Sequence, residues 1–142
     1  MRTRSLNHSI YKHQYHIVWC TKGRRNILQR YVIPELKRSL FETVGKYPTL
    51  FIHALNTDQD HIHLQIEIPP SIAVSDAVCA LKANSSRHLR KKFKFIRDIY
   101  LEKVGIWSVG YFSSTIGLNE DQIRKYILWQ GKREKPRTMR LF

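Results

Sequence analysis

The sequence predicts an α+β protein: a ferredoxin-like sandwich with a four-stranded antiparallel sheet, two helices on one face and an extra C-terminal helix. Three observations predict it. Apolar periodicity switches between alternation and three-to-four spacing in the order strand, helix, strand, strand, helix, strand, helix. The two middle strands are separated by only Asp58-Gln59-Asp60, which makes them a hairpin. The 142 residues, 42% of them hydrophobic, suffice for one core and are too few for two ordinary domains, so 1–142 is read as a single domain.

The elements follow in order. Tyr11 to Cys20 alternates and is rich in aromatic and β-branched residues, a strand that Thr21-Lys22-Gly23 ends. Pro34 suits the first turn of a helix to about Val44, with Leu36, Leu40, Phe41 and Val44 as its apolar side and Gly45 as its stop. Leu50–Thr57 and His61–Ile68 are the hairpin strands, and Pro69-Pro70 ends the second. Ser75 is placed to cap a long helix to about Phe95. Val78, Leu81, Ser85, Leu89, Phe93 and Ile96 form its buried stripe, and Arg87, Arg90 or Lys91, Lys94 and Arg97 a basic one. Trp107–Ser114 is the fourth strand. Asn119 and Gln122 resemble a capping box for a last helix to Gln130, with Gly131 as its stop. Residues 132–142 read as a basic, flexible tail.

Charge narrows the function. The formal net charge is +14, which calls for a polyanionic partner, most simply nucleic acid. The charge is uneven. Tyr47 to Leu81 holds Asp58, Asp60, Glu67 and Asp76 and no Lys or Arg, so the rest of the chain carries an excess of +18. The candidate DNA-binding residues lie in the basic clusters: Lys22, Arg24 and Arg25 in one, and Lys82, Arg87, Arg90, Lys91 and Lys94 in the densest run. No apolar run approaches the roughly 20 residues of a membrane span. No secretory signal follows the basic N-terminus, and Cys20 and Cys79 have no metal or disulfide spacing, so a reducing cytoplasm is expected.

The uncharged-to-acidic window holds the chemistry. In His61-Ile62-His63-Leu64-Gln65-Ile66-Glu67-Ile68, alternation sends the isoleucines and leucine to one face. His61, His63, Gln65 and Glu67 go to the other. Two imidazoles at alternate strand positions can begin a metal site, although His-x-His alone is a weak pattern. His8, His13, His16, His53 and His88 are read as structural or surface residues. In the last helix Tyr126 and Gln130 are four apart and share a face, which would equally serve an apolar stripe. A tyrosine with a pKa near 10 is a weak nucleophile unless a divalent ion activates the phosphate it attacks.

These segments together resemble a known family. Asp60-His61-Ile62-His63-Leu64 looks like the histidine–hydrophobic–histidine (HUH) motif of single-tyrosine nucleases. Residues 15–25, 85–93, 107–117 and 126–130 resemble, in order, the first strand and basic loop, the basic helix, the fourth-strand region and the catalytic helix of the insertion-sequence-two-hundred-like transposases, relatives of the REP-associated tyrosine transposases. Gly23 departs from the pattern, since many relatives carry an aromatic residue there. The resemblance implies that His61 and His63 bind Mg2+ or Mn2+, that Gln130 is the third ligand and that Tyr126 is the nucleophile. It implies cleavage and rejoining of single-stranded DNA bearing hairpins at mobile-element ends, through a 5′-phosphotyrosine. It also implies a homodimer in which the tyrosine helix can act in trans. By ligand softness the two imidazoles would also suit zinc. The alternatives are a domesticated relative that processes chromosomal palindromes and a non-catalytic, RRM-like module stacking bases on Tyr11, Tyr15 and Trp19. A helix-turn-helix reader fits poorly, because strands separate the helices.

Overall fold

The computed structural model describes residues 4–6, 9–11, 13–101, 105–115, 121 and 125–130. β1 (Arg4–Leu6) and β2 (Ser9–Tyr11) pair as a small antiparallel hairpin. The main sheet contains β3 (Gln14–Cys20), β4 (Phe51–Thr57), β5 (His61–Glu67) and β6 (Phe112–Ser114), in the order β4-β5-β3-β6. Every neighbouring pair is antiparallel, which gives the expected ferredoxin-like order. The helices are α1 (Ile33–Gly45), α2 (Val74–Lys92) and α3 (Lys94–Ile99), and residues 121 and 125–130 are helical.

The core lies between one sheet face and the helices. Ile17 and Trp19 of β3 and Ile62, Leu64 and Ile66 of β5 meet Leu36 and Leu40 of α1 and Val78, Leu81 and Leu89 of α2, all buried. Strand alternation accounts for the sheet side of this core and three-to-four spacing for the helix side. Asn84 of α2 ties the two helices together. Its Nδ2 donates to the Ser39 carbonyl at 3.0 Å and to Thr43 Oγ1 at 2.8 Å.

Four expectations are corrected. The first strand begins at Gln14, because Ser9–Tyr11 pairs with β1 instead. The N-cap of α2 is Ala73, not Ser75. The long helix also breaks at Phe93, whose backbone is extended (φ −122°, ψ 115°). Arg97 caps the break by donating to the carbonyls of Arg90 and Lys91 at 2.7 and 3.0 Å, while Phe93 turns its ring toward Tyr31 and Phe95. The fourth strand shortens to Phe112–Ser114, with Trp107 making a lone bridge to Thr21. Between them the Ser108 and Gly110 carbonyls accept from Lys82, and Gly110 has a left-handed φ of 90°, so the ladder cannot run through. Asn119, Gln122, Gly131 and the 132–142 tail lie outside the described residues. No described helix is long and apolar enough to cross a membrane.

Candidate active site

The sheet face opposite the core carries the site. Register puts His61 beside Cys20, His63 beside Val18, and Gln65 beside His16, while Phe112 flanks Val18 on its other side. Alternation therefore aligns His61, His63, His16 and Phe112 on one face, with the isoleucine face buried beneath. Val18 and Cys20 share this outer face yet are 0% exposed. The helical segment 125–130 lies over it: the Tyr126 ring is 5.9 Å from Phe112, and Ile127 is buried. The last helix thus occupies the face that the fold alone would leave open.

Each strand histidine has a different environment. His61 Nδ1 lies 2.8 Å from Asp60 Oδ1, and Arg24 Nε donates to Asp60 Oδ2 at 3.1 Å. Burial would raise the Asp60 pKa, but the hydrogen bonds from His61 and Arg24 more than offset this and hold it below the ordinary value. A carboxylate on Nδ1 fixes the ring and leaves Nε2 for a ligand, the outer-shell arrangement usual for metal-binding histidines. His63 Nε2 is buried with no hydrogen-bond partner among the described residues. Burial, and then the neighbouring His16 and His61, hold its pKa below the ordinary 6.5, so the ring stays neutral and able to coordinate.

Gln130, on the helical segment over this face, also has a distinct environment. Its Nε2 donates to the Val109 carbonyl at 3.0 Å and to Tyr126 Oη at 3.2 Å. Both amide hydrogens are thereby used. The remaining oxygen, Oε1, is buried with no partner among the described residues, although the side chain is only 1% exposed. A buried carboxamide oxygen and a buried imidazole nitrogen without partners are costly unless something binds them. An imidazole nitrogen and a carboxamide oxygen are each donors that a divalent ion can satisfy. Among the described residues, no three His, Cys, Asp or Glu side chains are grouped so as to hold a metal ion.

The basic residues differ in exposure and in the partners they bind. Lys82, Arg87 and Arg90 line one groove of about 760 Å³ along α2, together with Trp107 and Tyr111. Lys82 Nζ, however, donates to the Ser108 and Gly110 carbonyls at 2.6 and 2.9 Å, and Arg90 donates to the Tyr100 carbonyl at 2.7 Å. Lys94 forms an exposed pair with Asp98, while Arg87 and Lys91 are exposed. Lys22, Arg24 and Arg25 sit on the turn after β3, beside His61. Gly23 and Arg24 have left-handed φ values of 70° and 54° there, which suits glycine at position 23.

Sequence reasoning missed two neighbours of the pair, His16 and Asp60. The His16 ring, expected to be structural or on the surface, has its centroid 5.6 Å from that of His63. The aromatic platform proposed for an RRM-like module is overturned. Trp19 is 0% exposed and packs edge-on against Trp107 on the core side, and Tyr15 packs against the core too. The Tyr11 side chain lies outside what is described.

Comparison with known proteins places the chain in a family. The family described as "Transposase IS200 like" matches residues 9–130. This chain belongs to that family. It is 32% identical over 135 residues to the transposase for insertion sequence element IS200 of Salmonella typhimurium, covering 93% of this chain and 86% of that one. It is 29% identical over 126 residues to the ISDra2 transposase TnpA of Deinococcus radiodurans, covering 88% and 89%. A crystal structure of a Deinococcus radiodurans protein assigned as a transposase superposes with a TM-score of 0.77 at 28% identity, covering 89% of this chain and 97% of the other. A REP-associated tyrosine transposase, solved bound to a REP hairpin, shares the fold with a TM-score of 0.56 at 14% identity, covering 87% and 68%. The IS200-like transposase thus has the α+β architecture its sequence predicted.

Proposed function

We propose that this transposase cuts and rejoins single-stranded DNA with Tyr126 as nucleophile and a divalent ion held by His61, His63 and Gln130. The observation that carries this is Gln130. Its amide nitrogen bonds Tyr126 Oη while its oxygen stays buried and unpartnered. The donor set fits Mg2+ or Mn2+, which would supply Lewis-acid polarisation of the scissile phosphate and neutralise its developing charge.

The chain's own residues supply the rest. Asp60 orients His61, and burial keeps His63 neutral. The Gln130 N–H aimed at Tyr126 Oη supports negative charge on that oxygen as its proton leaves. Oη then bonds to phosphorus, the bond from phosphorus to the 3′ oxygen breaks, and that oxygen leaves as a free 3′-hydroxyl after taking up a proton. The 5′-phosphotyrosine keeps the energy of the ester for rejoining. Exposed Arg87 and Lys91, with the turn carrying Lys22 and Arg25, would hold the DNA backbone and the hairpin ends. We further propose a homodimer, as in the family the sequence resembles; within one chain, the 125–130 helix already rests on its own sheet through Phe112.

The test is a covalent adduct. Wild-type protein incubated with single-stranded element ends and Mg2+ should give a protein–DNA band that survives denaturation, and Tyr126→Phe should give none. An adduct persisting in Tyr126→Phe would overturn the nucleophile assignment.

A further inference from the structure

Three polar side chains on one face of α2, at three- and four-residue spacing, bind the segment that precedes β6. Ser86 Oγ accepts from the Ile106 amide at 3.2 Å, and Ser85 Oγ accepts from Trp107 Nε1 at 2.9 Å. Lys82 Nζ, a turn earlier, donates to the Ser108 and Gly110 carbonyls at 2.6 and 2.9 Å. The residue between those two carbonyls is Val109, whose own carbonyl receives Gln130 Nε2 at 3.0 Å. An ammonium bound to two flanking carbonyls turns both toward α2. The intervening Val109 carbonyl is left to the 125–130 helix, where Gln130 takes it. The chain of bonds thus runs from Lys82 through the 108–110 segment to Gln130.

We propose that Lys82 is a positioning residue. By clamping Ser108 and Gly110 it fixes the Val109 carbonyl, which in turn fixes the Gln130 carboxamide with Oε1 facing the metal. This rests on the reading of Gln130 as a ligand. It gives Lys82 a task distinct from the phosphate contact that its place in a basic run suggests.

Mn2+ binding to the full-length, DNA-free chain, followed by electron paramagnetic resonance, separates the possibilities. Removing a positive charge near a cation site should by simple electrostatics tighten Mn2+ binding; the positioning role requires the opposite sign. Lys82→Met should weaken Mn2+ binding roughly 10-fold, the scale of lost outer-shell support, and Lys82→Arg should restore most of it. In a Gln130→Ala background, Lys82→Met should add no further loss. Unchanged or tighter Mn2+ binding in Lys82→Met, or losses that multiply in the double variant, would overturn the proposal. If Gln130→Ala itself binds Mn2+ as wild type does, the ligand reading falls and this proposal with it; a loss there without one in Lys82→Met removes this proposal alone. Should Lys82→Met not fold, Gly110→Ala decides. It keeps the lysine charge but strains the segment at a φ of 90°. It should weaken Mn2+ binding as well, and wild-type affinity would overturn the role.

Discussion

The two halves of the site are held in opposite ways. His61 and His63 belong to β5, a central strand paired along its length with β3 and β4, over a face of fully buried isoleucine and leucine. Tyr126 and Gln130 belong to a helix that reaches the sheet through ring contacts, the buried Ile127 and a side-chain bond to Val109. The histidine half is part of the fold; the tyrosine half is docked onto it. The difference suits the proposed mechanism, in which the nucleophile would carry DNA between cleavage and rejoining while the phosphate-activating centre stays in place.

The sharpest way to break this comparison is to remove one group from the strand half. His63→Ala should lower adduct formation on the order of 10²–10³-fold, as losing a charge-stabilising group does, with little change in thermal stability. A quantitative adduct assay beside a melting curve checks it.

In the helix half, Ile127→Ala should misplace Tyr126 and cost up to roughly 10²-fold in adduct formation while barely moving the main unfolding transition. Leu64→Ala, on the core face of β5, should instead cost about 2–5 kcal/mol of global stability. Equal losses of stability in the two variants would erase the distinction between folded and docked halves.

Asp60→Asn should weaken Mn2+ binding roughly 10- to 100-fold by removing the carboxylate that holds His61. Arg24→Ala, one bond further out, should do less. Titration of the DNA-free protein measures both.

The smallest effect is on pH dependence. His63 has a folded pKa below its ordinary 6.5, so in metal-free protein the unfolded chain takes up the proton first as pH falls. Stability is complete above 6.5 and declines as pH drops from there toward the folded value. His63→Gln should flatten that slope in chemical denaturation between pH 7 and pH 5.

Much of this was legible in the sequence because the signals are local. The alternation in His61–Ile68 displays its two faces directly, and the spacing of Tyr126 and Gln130 places them on one side of a helix. What was missed depends on contacts far apart in the chain. His16 joins His63 only because β3 pairs with β5. Trp19 falls on the core face because alternation in β3 puts it with Ile17, which a stacking role overlooked. Lys82 reads as one more cation in a basic run until its ammonium is seen on two carbonyls more than 25 residues away. The break at Phe93 is invisible to periodicity, because the cap is the side chain of Arg97.

The central claim is that one divalent ion is shared by the strand and the helix. Pulsed electron paramagnetic resonance of Mn2+ bound to the DNA-free protein tests it most directly. The account predicts imidazole nitrogen couplings that diminish in His61→Ala and again in His63→Ala, and a weakened site in Gln130→Ala. Nitrogen couplings that survive loss of both histidines, or a site indifferent to Gln130, would contradict it.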